Sequence, residues 1–231
     1  DSKVVDAQGK PLVVYHGTKN GGFTEFKPFN RKGEQLGFGV HFAEDAEFAD
    51  RYANDPDVAR KGRRPEVYEV YLSIKNPLLA NTIVSEGSVE FALAKKLAGR
   101  NFFSVKDENG VPSVYLQNAI DAAPAKKAEQ LIREAGFDGI QYESKIGYRT
   151  IGGMSTSSKS VSWVVFEPTQ IKSAIGNNGN FDPSDPNILH QFAGPQAAPR
   201  STAPRASFNP ATNTIALLQA ADLSSFLHES G

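Results

Sequence analysis

The chain predicts an α+β fold with a largely antiparallel sheet, on three observations. Short β-rich runs lie scattered between helical stretches, without the regular β-α-β spacing of a parallel sheet. At 231 residues the chain is about one and a half times a typical ~150-residue domain, so one full domain plus an extension is expected. Its 39% hydrophobic and 22% charged content, with 14 Pro and 20 Gly, is globular with a slight loop bias. Such a chain can bury a sizeable core without cross-links.

The elements follow in order. Val4-Val5 and Leu12–His16 flank a turn at Asp6–Pro11 rich in Asp, Gly and Pro, which reads as a hairpin. Phe38–Phe42 is a short strand. Asp45–Ala53 is helical: Ala46, Ala49 and Ala53 share a face, Asp45 caps the start and Pro56 stops it. Arg60–Arg64 is a basic loop. Glu66–Ile74 alternates as a strand, with Tyr68, Val70, Leu72 and Ile74 on one face, and Asn76-Pro77 ends it. Ser88–Ala98 is a helix closed by Gly99. Pro124–Ala135 is another, with Ala128, Leu131, Ile132 and Ala135 on one stripe and Gly136 as the stop. Gly139–Glu143 and Val161–Glu167 are strands. Between them Gly147–Ser160, rich in Gly, Ser and Thr, reads as a flexible surface loop.

Residues 1–192 thus form one mixed unit. Residues 193–213 shift to Ala, Pro, Ser and Arg, a linker composition. Residues 214–231 regain helical periodicity and read as the start of a following domain. Asp1 is not an initiator Met, no charged-then-apolar leader follows it, and Phe226–Gly231 breaks off inside an apolar-periodic stretch. A piece of a longer polypeptide is expected.

Composition excludes several functions. Lys+Arg number 25 and Asp+Glu 26, a net charge of -1, which disfavours a general binder of nucleic-acid backbone. Cys is absent, so there is no thiolate nucleophile, disulfide scaffold or Cys-based zinc site. The longest apolar runs, such as Trp163–Phe166, fall far below the ~20 residues of a membrane span. No Ser sits in a G-x-S-x-G elbow. His16, His41 and His190 lack the paired i,i+4 spacing of a metal site.

Four segments remain as candidates for chemistry. Val14-Tyr15-His16-Gly17-Thr18 puts a His and a Gly at a strand end, where a ligand can approach the backbone or where the pair simply makes a turn. Gly37–Ala43 carries a Gly-x-Gly and His41, and a helix bearing Tyr52 follows it. Tyr52 suits either a ligand platform or a core position. Gly136–Glu143 and Val161–Ile171 are strands, the second with Ser162, Val164 and Phe166 on one face and Val161, Trp163 and Val165 on the other.

Taken in order, these segments resemble the ADP-ribosyltransferases of the diphtheria-toxin and poly(ADP-ribose) polymerase branch, whose sites carry a His-Tyr-Glu signature. The resemblance is greatest to the small transferase domains of phage and mobile-element polyvalent proteins, and it covers roughly residues 1–191. It implies split, mostly antiparallel sheets with flanking helices. It implies NAD as substrate, held by His16, Gly17, Thr18, Gly39, His41 and Tyr52. In that likeness His16 bonds the adenosine ribose, Gly17 grips the carboxamide with its main chain, and Tyr52 stacks on nicotinamide. Ala49 stands where polymerases often carry a Ser.

Two signature positions depart from the pattern: His41 replaces the Tyr and Ser162 replaces the catalytic Glu. A neutral Ser supplies little stabilisation to an oxocarbenium ion, a loss of ~3–4 kcal/mol or ~10²–10³ in rate. Glu143 on the neighbouring strand is the candidate substitute, and equally a plain surface carboxylate; Glu167 is the weaker one. The catalytic set implied is therefore Glu143, His16, His41 and Ser162, with no metal. The implied activity is mono-ADP-ribosylation of a macromolecular acceptor, a protein being favoured over nucleic acid, with release of nicotinamide. An NAD glycohydrolase and an inactive NAD-fold binding module are the alternatives. The implied location is the cytoplasm, or a host or target cell after delivery, with no membrane association. His228-Glu229 resembles the start of an H-E-x-x-H metallopeptidase helix lacking its second His.

Overall fold

A computed structural model describes residues 1–30, 36–54, 63–151, 154–176, 182–189, 206–209 and 214–217. The chain divides into two compact units, Asp1–Phe192 and Ala193–Gly231. In chain order the first carries β1 (Val14–Thr18), β2 (Phe29–Asn30), β3 (Phe38–Ala43), α1 (Ala46–Ala53), β4 (Glu66–Leu72), β5 (Pro77–Leu79) and β6 (Ile83–Ser85). There follow α2 (Val89–Ala98), β7 (Val105–Lys106), β8 (Pro112–Tyr115), α3 (Leu116–Ala122), α4 (Ala125–Glu134), β9 (Gly139–Ile151), β10 (Met154–Val165) and β11 (Ile171–Ser173).

The main sheet runs in the order β11-β4-β1-β3-β10-β9-β5, with β2 added on β3. Every pairing is antiparallel except β5 with β9. A separate three-stranded sheet runs β6-β8-β7. The α+β assignment and the predominance of antiparallel pairing are therefore both found.

Alternation along β10 divides the interior in two. Val164 and Phe166 enter a core with Ile140, Tyr142 and the apolar faces of α2, α3 and α4. Trp163 and Val165 enter a second core with Val40, Phe42, Val14, Val70, Leu72 and Ile74. The strand is buried on both faces, so its run of apolar residues is continuous. The helices start and stop where local chemistry directs. The Asp45 carboxylate accepts from the Phe48 N–H at 2.8 Å, and the Ser88 hydroxyl from the Phe91 N–H at 3.1 Å. Past α4, Gly136 takes φ +93°, a left-handed turn that a side chain would resist.

Two expectations are corrected. Residues 147–160 are mostly not a loop: β9 continues to Ile151 and β10 begins at Met154, so the two strands form a long ribbon with an irregularity between Thr156 and Ser158. The composition hid it: Gly, Ser and Thr dominate residues 147–160, and no apolar–polar alternation marks the strands there. In the second unit, Thr214–Leu217 pairs antiparallel with Ala206–Asn209, giving β12 (Ala206–Asn209) and β13 (Thr214–Leu217). Helix was expected at the second and linker at the first. The β-branched pair Thr214-Ile215 suits an extended chain better than a helix. Pro56, Arg60, Asn177, His190, His228 and Glu229 lie outside the described residues.

Candidate functional site

β1 and β3 are neighbours in the main sheet but share one register pair, Tyr15 with Ala43. Here the sheet splits. The His16 ring spans the gap, its Nδ1–H donating to the His41 carbonyl at 2.7 Å. A side chain thereby satisfies a strand carbonyl and sets the tautomer: Nε2 carries no proton in the neutral ring and can accept one from a hydroxyl. Phe26 meets the His16 ring edge-on at 5.1 Å and Phe42 lies 5.5 Å away. This apolar packing pushes its pKa down through desolvation, offset in part by the bond to His41.

At the split lies a cleft of about 290 Å³. His16, Gly17, His41, Tyr52 and Ser162 all line it. Four separate stretches of sequence therefore converge on one hollow. Helix α1 forms one wall. Gly17 is what lets it approach: a Cβ there would sit 1.8 Å from the Ala49 carbonyl oxygen. The missing side chain makes room for the helix. Phe48 and Ala49 face the cleft from α1, and Tyr52, 56% exposed, stands at its mouth. The Trp163 indole N–H donates to the Glu44 carboxylate at 2.9 Å, tying the start of α1 to β10.

His41 has both ring nitrogens engaged. Nε2–H donates to the Phe38 carbonyl at 3.0 Å, and Nδ1 accepts the Tyr142 hydroxyl proton at 2.6 Å. Its ring stacks on Phe29 at 5.2 Å. Burial lowers its pKa to about 4, so the ring is neutral near pH 7. Tyr142 is buried and raised to about 12 by desolvation, with the Ser144 and Ser162 hydroxyls among its hydrogen-bonding neighbours. Ser162 is buried and pairs across the ladder with Tyr142 on one side and Ala43 on the other.

Three expected site residues are not among those lining the cleft. Glu143 pairs with Val161, one step out of phase with the Tyr142–Ser162 pair. Successive strand residues point to opposite faces, so its side chain leaves on the other side of the ribbon. There the carboxylate meets Lys159 at 3.1 Å and Lys145 at 3.6 Å, which hold its pKa down, the hydrogen bond from Lys159 most of all. Proximity of strands was the ground for expecting it in the cleft, and alternation overrides that ground. Thr18 ends β1 opposite Glu66, its hydroxyl accepting from the Asn20 N–H at 3.3 Å. Gly39 takes φ +79° and lies against Val164 and Val165, packing β3 onto β10.

Conversely Tyr15, Phe29, Tyr142, Ser144 and Lys145 line the cleft and were not singled out. For Tyr142 a signal existed: Ile140 and Tyr142 share a strand face, while Gln141 and Glu143 share the other. No carboxylate is among the described lining residues. Nor do three His, Cys, Asp or Glu side chains converge as metal ligands among the described residues. No helix of the described residues is long and apolar enough to cross a membrane.

The family comparison decides the affiliation. The family model for the ADP-ribosyltransferase in polyvalent proteins matches residues 6–181. The chain belongs to this family. The match spans the whole split sheet, from the turn before β1 to beyond β11. Neither the curated proteins nor the solved structures yield a match. As an ADP-ribosyltransferase domain it is of a family that uses NAD as donor and requires an acceptor for ADP-ribose.

Proposed function

We propose that the cleft binds NAD and that the domain transfers one ADP-ribose to a macromolecular acceptor, releasing nicotinamide. The observation carrying this is the convergence of His16, Gly17, His41, Tyr52 and Ser162 on one hollow walled by aromatic rings. A planar pyridine suits such walls, Tyr52 closing over it from α1. His16 Nε2 accepts from a ribose hydroxyl. In the reaction the bond from the anomeric carbon to the pyridine nitrogen breaks, and its electron pair leaves on nicotinamide. An acceptor lone pair forms the new bond, and the acceptor's proton passes to solvent.

Positioning supplies most of the catalysis. No carboxylate among the described lining residues stands ready for the oxocarbenium charge. The chemical step is therefore slower by ~10²–10³ than with an aligned anion. A second reading follows from that same feature: a module that holds NAD without turning it over.

Incubation with NAD labelled in the adenylate half, with and without cell lysate, separates the readings. Label on a macromolecule supports transfer. Free ADP-ribose with no labelled acceptor supports hydrolysis instead. Bound NAD with neither product supports the binding module. Glu143→Ala and Ser162→Ala run alongside: loss of product in the first variant would return the carboxylate role to Glu143.

A further inference from the structure

From the hydrogen-bond directions in the cleft, and resting on the NAD reading above, we infer that Tyr142 is a ribose-binding residue, its oxygen accepting a sugar hydroxyl, with His41 as the positioning residue that aims it. The directions follow from chemistry. The Phe38 carbonyl can only accept, so the His41 Nε2 bond at 3.0 Å fixes the proton on Nε2. A neutral ring then offers Nδ1 as an acceptor. The 2.6 Å contact must be the Tyr142 O–H donating to it. The phenolic proton is committed to His41, so the oxygen can only accept, from the Ser144 and Ser162 hydroxyls beside it or from a ligand hydroxyl that takes the place of one of them. Donation to His41 polarises the phenol and strengthens it as an acceptor.

The residues around that oxygen agree. Tyr142 and Ser162 are both buried, face each other across the ladder and line the cleft, with Ser144 beside them. Their hydroxyls accept and donate, but they carry no charge. A cluster of this kind takes a group that brings its own protons, such as a vicinal sugar diol. His41, replacing an aromatic hydroxyl in the family signature, then serves less as a ligand contact than as the acceptor that orients one. The edge-on contact between the His41 and Tyr142 rings at 5.6 Å and the stack on Phe29 fix the geometry.

The test is a binding cycle. Affinity is measured for NAD and for its two analogues lacking the 2′ or the 3′ hydroxyl of the nicotinamide ribose, in the wild-type chain and in Tyr142→Phe. The expected result is a ~3–10-fold loss of NAD affinity in Tyr142→Phe, the scale of one buried hydrogen bond. That loss vanishes for one of the analogues, because the partner hydroxyl is already gone. An equal loss for NAD and both analogues, or no loss, overturns the inference while leaving NAD binding intact. If the wild-type chain fails to bind NAD, the NAD reading itself fails and takes this inference with it. If Tyr142→Phe does not fold, the wild-type chain decides alone. A preference for NAD over one analogue, with a shift of the His41 Nδ1 resonance on NAD addition, supports the inference. Equal affinity for all three overturns it.

Discussion

Replacing Gly17 with Ala asks one methyl group to share space with a helix backbone. The new Cβ would lie 1.8 Å from the Ala49 carbonyl oxygen, 2.7 Å from its carbon and 3.2 Å from the Ala53 nitrogen. None of these atoms belongs to a side chain that can rotate away. Restoring ordinary contact requires α1 to retreat by about 1.5 Å. Overpacking of this kind costs ~1–3 kcal/mol. For a domain of this size that lowers Tm by about 2–12 °C. The retreat also carries Tyr52 away from the cleft, since Tyr52 lies on the same rigid helix. Misplacement on the ångström scale can cost ~10²-fold at a binding or reaction centre. Thermal unfolding and NAD titration of Gly17→Ala measure both effects. A variant that melts with the wild type and binds NAD equally well would refute the claim that Gly17 sets the position of α1.

Two further predictions concern the supports of the site. Asp45→Ala removes the cap of α1 and is expected to cost about 1 kcal/mol, or about 2–4 °C in Tm, while Asp45→Asn keeps most of it; calorimetry of the pair checks this. His41 predicts acid sensitivity. Its folded pKa of about 4 lies below the usual imidazole value of 6.5, so between those values the unfolded chain takes up a proton that the native chain refuses. Stability therefore falls as pH drops from 6.5 toward 4, by about 3 kcal/mol at most from this group, and the loss levels off below. Denaturant melts across that range, with a ring NMR titration of His41, test it; a His41 midpoint near 6.5 would contradict its burial.

Much of the scaffold was legible because the signals were local. Asp45, Ser88 and Gly136 announce helix ends by backbone chemistry that needs no partner. The continuous apolar run Trp163–Phe166 marks a strand buried on both faces. The cleft was legible only as a likeness of ordered segments, and its details follow from long-range pairing. The single register pair of β1 with β3, which opens the split, depends on strands far apart in sequence. Glu143 is not among the lining residues, and adjacency of strands could not foretell this because it says nothing about the face a side chain takes. Alternation puts Tyr142 on the face of Ile140, but its bond to His41 depends on a tautomer set by the distant Phe38 carbonyl, which no local pattern shows. The ribbon of β9 and β10 was hidden by its Gly-, Ser- and Thr-rich sequence, which carries no hydrophobic period.

The most direct measurement is saturation binding of labelled NAD by equilibrium dialysis, on the wild-type chain and on Tyr52→Ala. Tyr52 is 56% exposed, and a thermal melt of each chain alongside separates a lost ligand contact from a lost fold. The predicted result is one NAD per wild-type chain and a marked loss of affinity in Tyr52→Ala. A folded wild-type chain with no saturable NAD binding, or a Tyr52→Ala chain that binds as well, would contradict the placement of the dinucleotide in this cleft.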